Sequence, residues 1–282
     1  MASDKVPKIA VISMVKDSGF FAARWIRYYS QHLGYKNLFL VIDGHDQPLP
    51  EGYEQINIIR LPGREQGRSG GDRSRARLVS YLAGALFHRY DIVIAHDIDE
   101  FLVIDPAKQQ SFAEYFQRSF RTASVSALGL DVGQHTEEEQ ALDFTRPFLE
   151  QRSYAHVSAR YTKAVVATRP VIWGSGFHRV KGKNFHIDPG LFLFHFGMVD
   201  YNTSMEKLND QSLIKAGWKG HLKRRYELFD LIRKADALEG DGFFDKARRR
   251  QSLFRPLYAL NKPGMLKEKP IIRIPERFRT VV

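Results

Sequence analysis

Three acidic residues follow a short apolar run, and their types and spacing suit metal chemistry. Asp97, Asp99 and Glu100 come directly after Ile92–Ala95 and His96. In an extended chain residues i and i+2 point to the same side, so the carboxylates of Asp97 and Asp99 would repel each other without a cation between them. Mg²⁺ and Mn²⁺ combine carboxylate ligands with phosphate oxygens of a substrate. The spacing predicts such a site; a solvated turn, where Asp is common, is the alternative.

The run before the acids is continuously apolar, which favours a strand covered on both faces of an α/β sheet. Further strands are predicted at Ile9–Met14, at Leu38–Ile42 and within 56–63, and helical periodicity predicts helices over 20–34 and 75–89. The order β-α-β-β-α-β predicts an open α/β sheet. Ligands of such sheets collect at the carboxyl ends of the strands, which is where the acids fall.

Composition limits the class of protein. The 282 residues are 43% hydrophobic and 12% aromatic, which fits a globular protein and not a disordered one. The absence of Cys excludes disulfides, thiolate metal sites and a Cys nucleophile. No segment approaches the roughly 20 apolar residues of a membrane span, and no secretory signal is visible, so we expect a cytoplasmic protein. The net charge of +11 favours an anionic partner such as a nucleotide, a nucleic acid or an anionic membrane surface.

Three segments in chain order resemble glycosyltransferases of the GT-A fold, in the family-2-like branch with a D-x-D-E-F strand end. They are Ile12–Asp43, Arg73–Val103 and the β-rich stretch from Thr162 to Gly197. The most specific piece is "DIDEF", and Ser18 stands where that branch usually has an acid. The resemblance covers about residues 8–200. It implies a Rossmann-like mixed sheet flanked by helices and a hexosyltransferase-type enzyme that uses a nucleotide-sugar.

The resemblance also implies where the donor binds. Its nucleoside would lie over the first strand ends, near Ser13, Met14, Val15, Lys16 and Asp43. Its diphosphate would meet Mn²⁺, or Mg²⁺, held by Asp97 and Asp99. Physical chemistry agrees, because a leaving nucleoside diphosphate gains negative charge that a cation stabilises most in the transition state. A UDP-sugar is the default donor, and the acceptor would be a glycan or a lipid-linked glycan of polysaccharide biosynthesis.

Basic and aromatic side chains could complete the donor site. Guanidinium groups match phosphate bidentately, and the candidate arginines before the metal strand are Arg64, Arg68, Arg73 and Arg77. Arg73 and Arg77 rank first because they share a helix face; a solvated loop and helix start is the alternative. Trp173 could stack on a sugar ring or lie in the core.

Two histidines and two acids in the second half are further candidates. His178 and His195 lie in Gly-flanked segments, and the resemblance suggests that one of them is another metal ligand; a hydrogen-bonded core histidine is the alternative. An inverting transfer needs a base for the acceptor hydroxyl. Asp131, which ends a predicted strand, is the first choice for the catalytic base and Glu150 the second.

Two other functions compete with the transferase. A non-catalytic nucleic-acid-binding protein would explain the charge, but the strand-end acids would repel phosphate in the absence of metal. A nucleotidyltransferase has a similar sheet and metal site, yet the Gly-rich loop usual after its first strand is missing from "SMVKDSG".

The chain is predicted to divide near residue 202. Residues 1–202 would form the GT-A domain, and 203–282 a basic, mainly helical extension packed on it. In that extension, basic residues interleave with aromatics, which suits weak peripheral contact with an anionic membrane surface. The same segment also contains acidic residues, which reduce its net positive charge. They favour the alternative, a helical extension whose charges are solvated.

Overall fold

One large mixed sheet organises the residues that the computed structural model describes, which are 6–63, 68–182, 185–209, 219–255 and 260–282. Its strands are β1 (Ile9–Val15), β2 (Leu38–Asp43), β3 (Asn57–Leu61), β4 (Ile92–Ala95), β5 (Glu100–Ile104), β6 (Ser124–Gly133), β7 (Tyr154–Val157), β8 (Lys163–Ala167), β9 (Ile187–Met198), β10 (Leu238–Glu239) and β11 (Ile271–Arg273). The order is β10-β11-β7-β6-β8-β4-β1-β2-β3, with β9 paired to β6 and β5.

The helices lie around this sheet. They are α1 (Gly19–Leu33), α2 (Arg68–Leu86), α3 (Phe112–Phe116), α4 (Tyr201–Asn209), α5 (Lys219–Lys234) and α6 (Gly240–Leu253). The predicted α/β class, with a mixed sheet flanked by helices, is confirmed. The helix expected from residue 75 starts earlier, at Arg68. An Asp72–Arg75 pair at 3.3 Å lies in its second turn, which has no apolar periodicity.

The first half of the sheet is parallel, and its strands β1, β2 and β4 are mostly buried. Strands β3, β2, β1 and β4 run in one direction, so their carboxyl ends meet at one edge. Apolar residues of α1 pack with one side of β1, and apolar residues of α2 pack with the other. All four residues of β4 are buried, as the continuous apolar run predicted.

The second half is mostly antiparallel and is centred on β6. The first part of β6 pairs with β8 and its last part with β7, while β9 runs parallel along its other edge. In this register Asp131 lies opposite both His156 of β7 and His195 of β9. Strand β9 also pairs with β5, so Glu100 lies opposite His195.

The C-terminal part shares this sheet and its core. Strand β11 pairs with β7, and the ring centroids of Phe244 and Phe278 lie 4.7 and 5.0 Å from that of Phe192 in β9. Its described residues include the helices α5 and α6 as well as the strands β10 and β11. A mainly helical extension that begins near residue 203 stays a prediction. No helix among the described residues is long and apolar enough to cross a membrane.

His96, which follows β4, is buried as a neutral imidazole. Tyr29 Oη accepts the Leu102 N–H and lies 2.6 Å from His96 Nε2. Because the other ring nitrogen carries the proton of the neutral imidazole, the tyrosine hydroxyl donates to Nε2. The other ring nitrogen lies 2.8 Å from the Asp97 carbonyl oxygen, to which its N–H donates. Protonation of His96 Nε2 would break the hydrogen bond that this nitrogen accepts from the Tyr29 hydroxyl. Burial lowers the pKa of His96 to about 4.

We therefore expect His96 to make stability depend on pH. Because its folded pKa lies below its unfolded value, its contribution is complete above pH 6.5 and is lost as the pH falls towards 4. Between pH 7 and pH 5 the free energy of unfolding should fall by roughly 2 kcal/mol more in the wild type than in His96→Gln. Urea unfolding at the two pH values measures both slopes, and equal slopes would contradict the prediction.

Candidate functional site

The acidic motif forms a tight turn between β4 and β5, at the edge where the parallel strands end. The Glu100 N–H donates to the Asp97 carbonyl oxygen at 3.1 Å, and the Phe196 N–H donates to the Asp99 carbonyl oxygen at 2.9 Å. The turn is therefore tied to β9 as well as to its own strands. This connection places the side chain of Asp99 beside His195.

Asp97 is held between two cations. Lys163 Nζ lies 2.7 Å from one carboxylate oxygen, and an Arg75 guanidinium nitrogen lies 2.8 Å from the other. Burial alone would raise the pKa of Asp97, but Arg75 and Lys163 hold it well below its ordinary value. Asp97 is therefore an anion whose charge the protein already balances.

Glu100 shares Lys163 with Asp97. Its Oε1 lies 2.5 Å from Lys163 Nζ, and the two side chains are 0% and 2% exposed. Burial raises the pKa of Glu100 to about 7, although Lys163 acts in the opposite direction. Burial would lower the pKa of Lys163, but Asp97 and Glu100 raise it above its ordinary value. The buried ammonium group of Lys163 thus forms ion pairs with both Asp97 and Glu100.

His195 lies between the carboxylates of Asp99 and Asp131. Its Nδ1 is 2.6 Å from Asp131 Oδ1, and its Nε2 is 3.3 Å from Asp99 Oδ2. The ring of Tyr161 stacks on the imidazole, with centroids 3.8 Å apart and planes at 17°. If Nδ1–H donates to Asp131, the Nε2 lone pair faces the Asp99 carboxylate. Two acceptors at this distance need a proton or a metal cation between them.

The donor set fits a divalent cation only if a substrate supplies further ligands. Asp99 Oδ2 and His195 Nε2 would bind it, and Asp131 would orient the imidazole, as carboxylates behind metal-bound histidines do. Among the described residues no three acidic or histidine side chains are placed to hold a metal ion by themselves. Asp97 Oδ1 is buried and accepts no hydrogen bond of good geometry despite the nearby Arg75, so a metal contact for Asp97 stays a prediction. Mg²⁺ is commonly bound this way, with one or two carboxylates and substrate phosphates.

His178 lies in the segment that follows β8, after a short 3₁₀ turn at Ser175–Phe177. Burial lowers its pKa to about 4, with a smaller contribution from Lys163, so the imidazole is neutral at pH 7. Asp97 acts on this pKa in the opposite direction. Its role as a metal ligand stays a prediction.

The predicted nucleoside contacts lie along the same edge. Ser13 is fully buried and its hydroxyl donates to the His96 carbonyl oxygen at 2.9 Å, which ties β1 to the acidic turn. Val15 is also buried, Met14 is partly buried, and Lys16 is exposed just beyond β1. Asp43 ends β2 and is partly exposed.

Arg73, Arg77 and Trp173 lie together, but apart from the contacts of the acids. They line one cleft between α2 and the segment 172–181. Trp173 is 2% exposed and its indole N–H donates to the Ala164 carbonyl oxygen at 2.6 Å, so its ring is largely core. Arg64 and the side chain of Arg68 lie outside the described residues.

Glu150 lies in a short 3₁₀ turn and pairs with Arg146 at 3.2 Å. Glu150 takes part in none of the contacts described above for the acidic turn. The sequence reasoning missed Arg75, Tyr161 and Lys163. Arg75 lies between Arg73 and Arg77, the two arginines that ranked first, so the arginine cluster itself pointed to it. No sequence signal distinguishes Lys163 from a surface lysine.

Gly129 of β6 allows the Tyr161 segment to approach His195. Its N–H donates to Thr162 Oγ1, and a Cβ here would overlap the backbone of Tyr161 and Thr162. Gly129→Ala should therefore lower the free energy of unfolding by roughly 3 kcal/mol, because backbone must move. Gly84→Ala in α2 is the control: its Cβ would meet nothing within 4 Å. The control should be neutral or stabilising, and equal losses in urea unfolding would contradict the close approach.

Comparisons with known proteins give only remote likeness. No family model matches the sequence, and no curated protein matches it. A mannosyltransferase from Pyrobaculum calidifontis, solved with GDP-Man and Mn²⁺, is 14% identical, with 80% of this chain and 70% of that chain covered and a TM-score of 0.35. A mannose-1-phosphate geranyltransferase from Thermus thermophilus is 10% identical, with 79% and 67% covered and a TM-score of 0.31.

Proposed function

We propose that the chain is a metal-dependent glycosyltransferase that takes a sugar from a nucleotide-sugar donor. The observation that carries this proposal is the arrangement of Asp99, His195 and Asp131 at the carboxyl edge of the parallel strands. It offers two ligands and an orienting carboxylate at the edge where α/β sheets bind their substrates. A site with two protein ligands leaves positions for the oxygens of a diphosphate.

The residues around this site keep it in place. Asp131 accepts from His195 Nδ1 and fixes the imidazole, and Tyr161 packs on its ring. Lys163 and Arg75 neutralise Asp97, so the turn that carries Asp99 stays folded despite three adjacent acids. When bound, the divalent cation would neutralise the charge that develops on the leaving diphosphate.

The remaining contacts stay predictions of the same proposal. The nucleoside would lie over the ends of β1 and β2, near Lys16 and Asp43. Asp131 remains a candidate base for the acceptor hydroxyl, although one of its oxygens already accepts from His195. A UDP-sugar donor and a glycan or lipid-linked acceptor are the default classes.

Thermal unfolding with and without Mn²⁺ tests the proposal. We expect UDP or GDP to raise the melting temperature only when metal is present, because ligand that binds the folded state alone stabilises it. Equal shifts with NTPs would favour a nucleotidyltransferase, and shifts with oligonucleotides that need no metal would favour nucleic-acid binding. No nucleotide-dependent shift with Mn²⁺ or Mg²⁺ would contradict the proposal.

Weak contact with an anionic membrane surface stays a prediction for the C-terminal part. Leu253 and Phe254, at the end of α6, are 69% and 72% exposed among basic residues. Acidic partners offset part of the charge: Arg248 lies 3.0 Å from Asp245. The side chains at 219–225, several of them basic, lie outside the described residues. Flotation with anionic and neutral liposomes tests this contact, and equal binding to both at low salt would contradict it.

A further inference from the structure

An exposed group of apolar side chains lies at the end of α6 and in the segment 260–265. Leu253, Phe254, Leu260 and Met265 are 69, 72, 52 and 64% exposed, and we call these four residues the apolar corner. Among the described residues, no other large apolar side chain is as exposed as Leu253, Phe254 or Met265. Single exposed apolar residues are ordinary, whereas a group of them marks a surface that contacts another molecule.

Backbone contacts fix the two parts of the apolar corner against each other. The Gly264 N–H donates to the Gln251 carbonyl oxygen at 2.7 Å, and a Cβ at Gly264 would overlap the Phe254 carbonyl oxygen. Arg255 Nη1 donates to the Leu260 carbonyl oxygen at 2.6 Å. The fold thus holds these apolar side chains at the surface without covering them.

The chain around the apolar corner carries a strong positive charge. Residues 246–269 contain eight basic residues and a single acid, Glu268, which leaves a net charge of +7. Glu268 lies 3.6 Å from Arg250, while Arg249 and Lys267 are exposed. An apolar surface among cations matches the interface of an anionic bilayer, where apolar side chains enter the acyl boundary and cations stay among the headgroups.

Other partners match only one of these two features. A nucleic acid or an anionic glycan would neutralise the charge through its anionic groups, which offer nothing to the four apolar side chains. A second copy of this chain, docked by the same surface, would cover the apolar side chains but would bring the same positive charge to the contact. An anionic lipid bilayer matches both features.

One segment connects the apolar corner with the acidic turn. Asn261 Nδ2, next to Leu260 in the chain, donates to the Val180 carbonyl oxygen at 2.9 Å. The segment 172–181, which includes Val180, also carries Phe177, whose ring centroid lies 6.0 Å from the guanidinium carbon of Arg75. That guanidinium group contacts the acidic turn. A surface held at the apolar corner is therefore joined to the proposed site through a few direct contacts.

We propose that the apolar corner inserts into the interfacial region of an anionic lipid bilayer. The weak contact predicted above requires charge alone. Insertion also buries the four apolar side chains, so part of the binding persists when salt screens the charges. That the bilayer then supplies an acceptor carried by a lipid rests on the proposed function; the insertion itself does not.

A fluorescent label on a single cysteine tests the insertion directly. The sequence contains no Cys, so a label on Phe254→Cys reports from that position alone. With vesicles of phosphatidylcholine and phosphatidylglycerol, its emission should shift to the blue and be quenched by lipids that carry a quencher in their acyl chains. Leu238→Cys is the control, because Leu238 is also exposed but lies at the other end of α6, roughly 20 Å away. Its label should not respond.

Serine variants test what the apolar side chains contribute. Leu253→Ser/Phe254→Ser should weaken binding to the same vesicles at least roughly tenfold, because the apolar area that insertion buries is lost. Val6→Ser/Leu238→Ser removes exposed apolar side chains elsewhere and should keep the affinity of the wild type. All four positions are exposed, so urea unfolding should give the same stability for the three proteins.

Several results would overturn the proposal. A label at position 254 that stays in water while the protein sediments with vesicles would indicate a contact by charge alone, as would equal binding of the Leu253/Phe254 variant. Oligomers that this variant dissociates, without vesicle binding by the wild type, would assign the apolar corner to a second copy. If the label inserts but UDP never binds with metal, the proposed function fails and the membrane surface stands. Metal-dependent UDP binding without insertion gives the reverse.

Discussion

Asp99→Asn is expected to lower metal-dependent sugar transfer by at least roughly a hundredfold, because the loss of a metal ligand removes several kcal/mol of transition-state stabilisation. The amide keeps the shape of the side chain but carries no charge. It also leaves His195 Nε2, now 3.3 Å from a carboxylate oxygen, without its anionic neighbour. The measurements are the rate of donor turnover and the Mn²⁺-dependent shift of the melting temperature with UDP, both of which should disappear.

Asp91→Asn is the matched control for this variant. Asp91 lies just before β4, at the opposite end of the strand from the acidic turn, and its carboxylate accepts the Lys8 N–H at 2.8 Å, as an amide oxygen also can. It should keep both the transfer rate and the metal-dependent shift. Near-wild-type transfer by a folded Asp99→Asn protein would contradict the metal role of this motif.

Lys163→Met is expected to lower the free energy of unfolding by roughly 3–5 kcal/mol, because removing one partner leaves buried charge uncompensated. Lys163 is 2% exposed and is the ammonium group within reach of both Asp97 and Glu100. Asp97 keeps Arg75 as a partner. Glu100 can only take up a proton, and burial already raises its pKa to about 7. The loss in urea unfolding should therefore be larger at pH 8 than at pH 5.5.

A double-mutant cycle separates the charge from the packing. Glu100→Gln/Lys163→Met removes both members of the pair and should recover a large part of the lost stability, as coupled partners do. Additive losses, or a loss in Lys163→Met that does not change with pH, would contradict a buried pair. The single variant Glu100→Gln completes the cycle and should be the milder of the two.

Local patterns in the sequence predicted the parallel half of the sheet and the position of the acids. Continuous apolar runs are found where both faces of a strand are covered, and β4 is buried throughout. The acids follow the last residue of that strand, so their place at the carboxyl edge needs no tertiary information. The sequence also pointed to His195, because of the segment in which it lies. It did not show which residues His195 contacts.

Only the tertiary structure shows which charged residues are in contact with each other. Lys163 is 66 residues from Asp97 in the chain, and His195 is 64 residues from Asp131. Their meeting depends on which strands are neighbours and on their register, because a shift by one residue turns each side chain to the opposite face. No short-range pattern contains that information.

The rotation of α2 about its axis determines which of its arginines reaches the acidic turn. A cluster of arginines before the strand that ends in the acids is visible in the sequence, and Arg73 and Arg77 were selected because they share a helix face. The packing of α2 on the sheet decides that Arg75 contacts Asp97, while Arg73 and Arg77 line the cleft between α2 and the segment 172–181. The physical reason is that periodicity fixes which residues share a face of a helix, whereas the elements packed around it decide what each face meets.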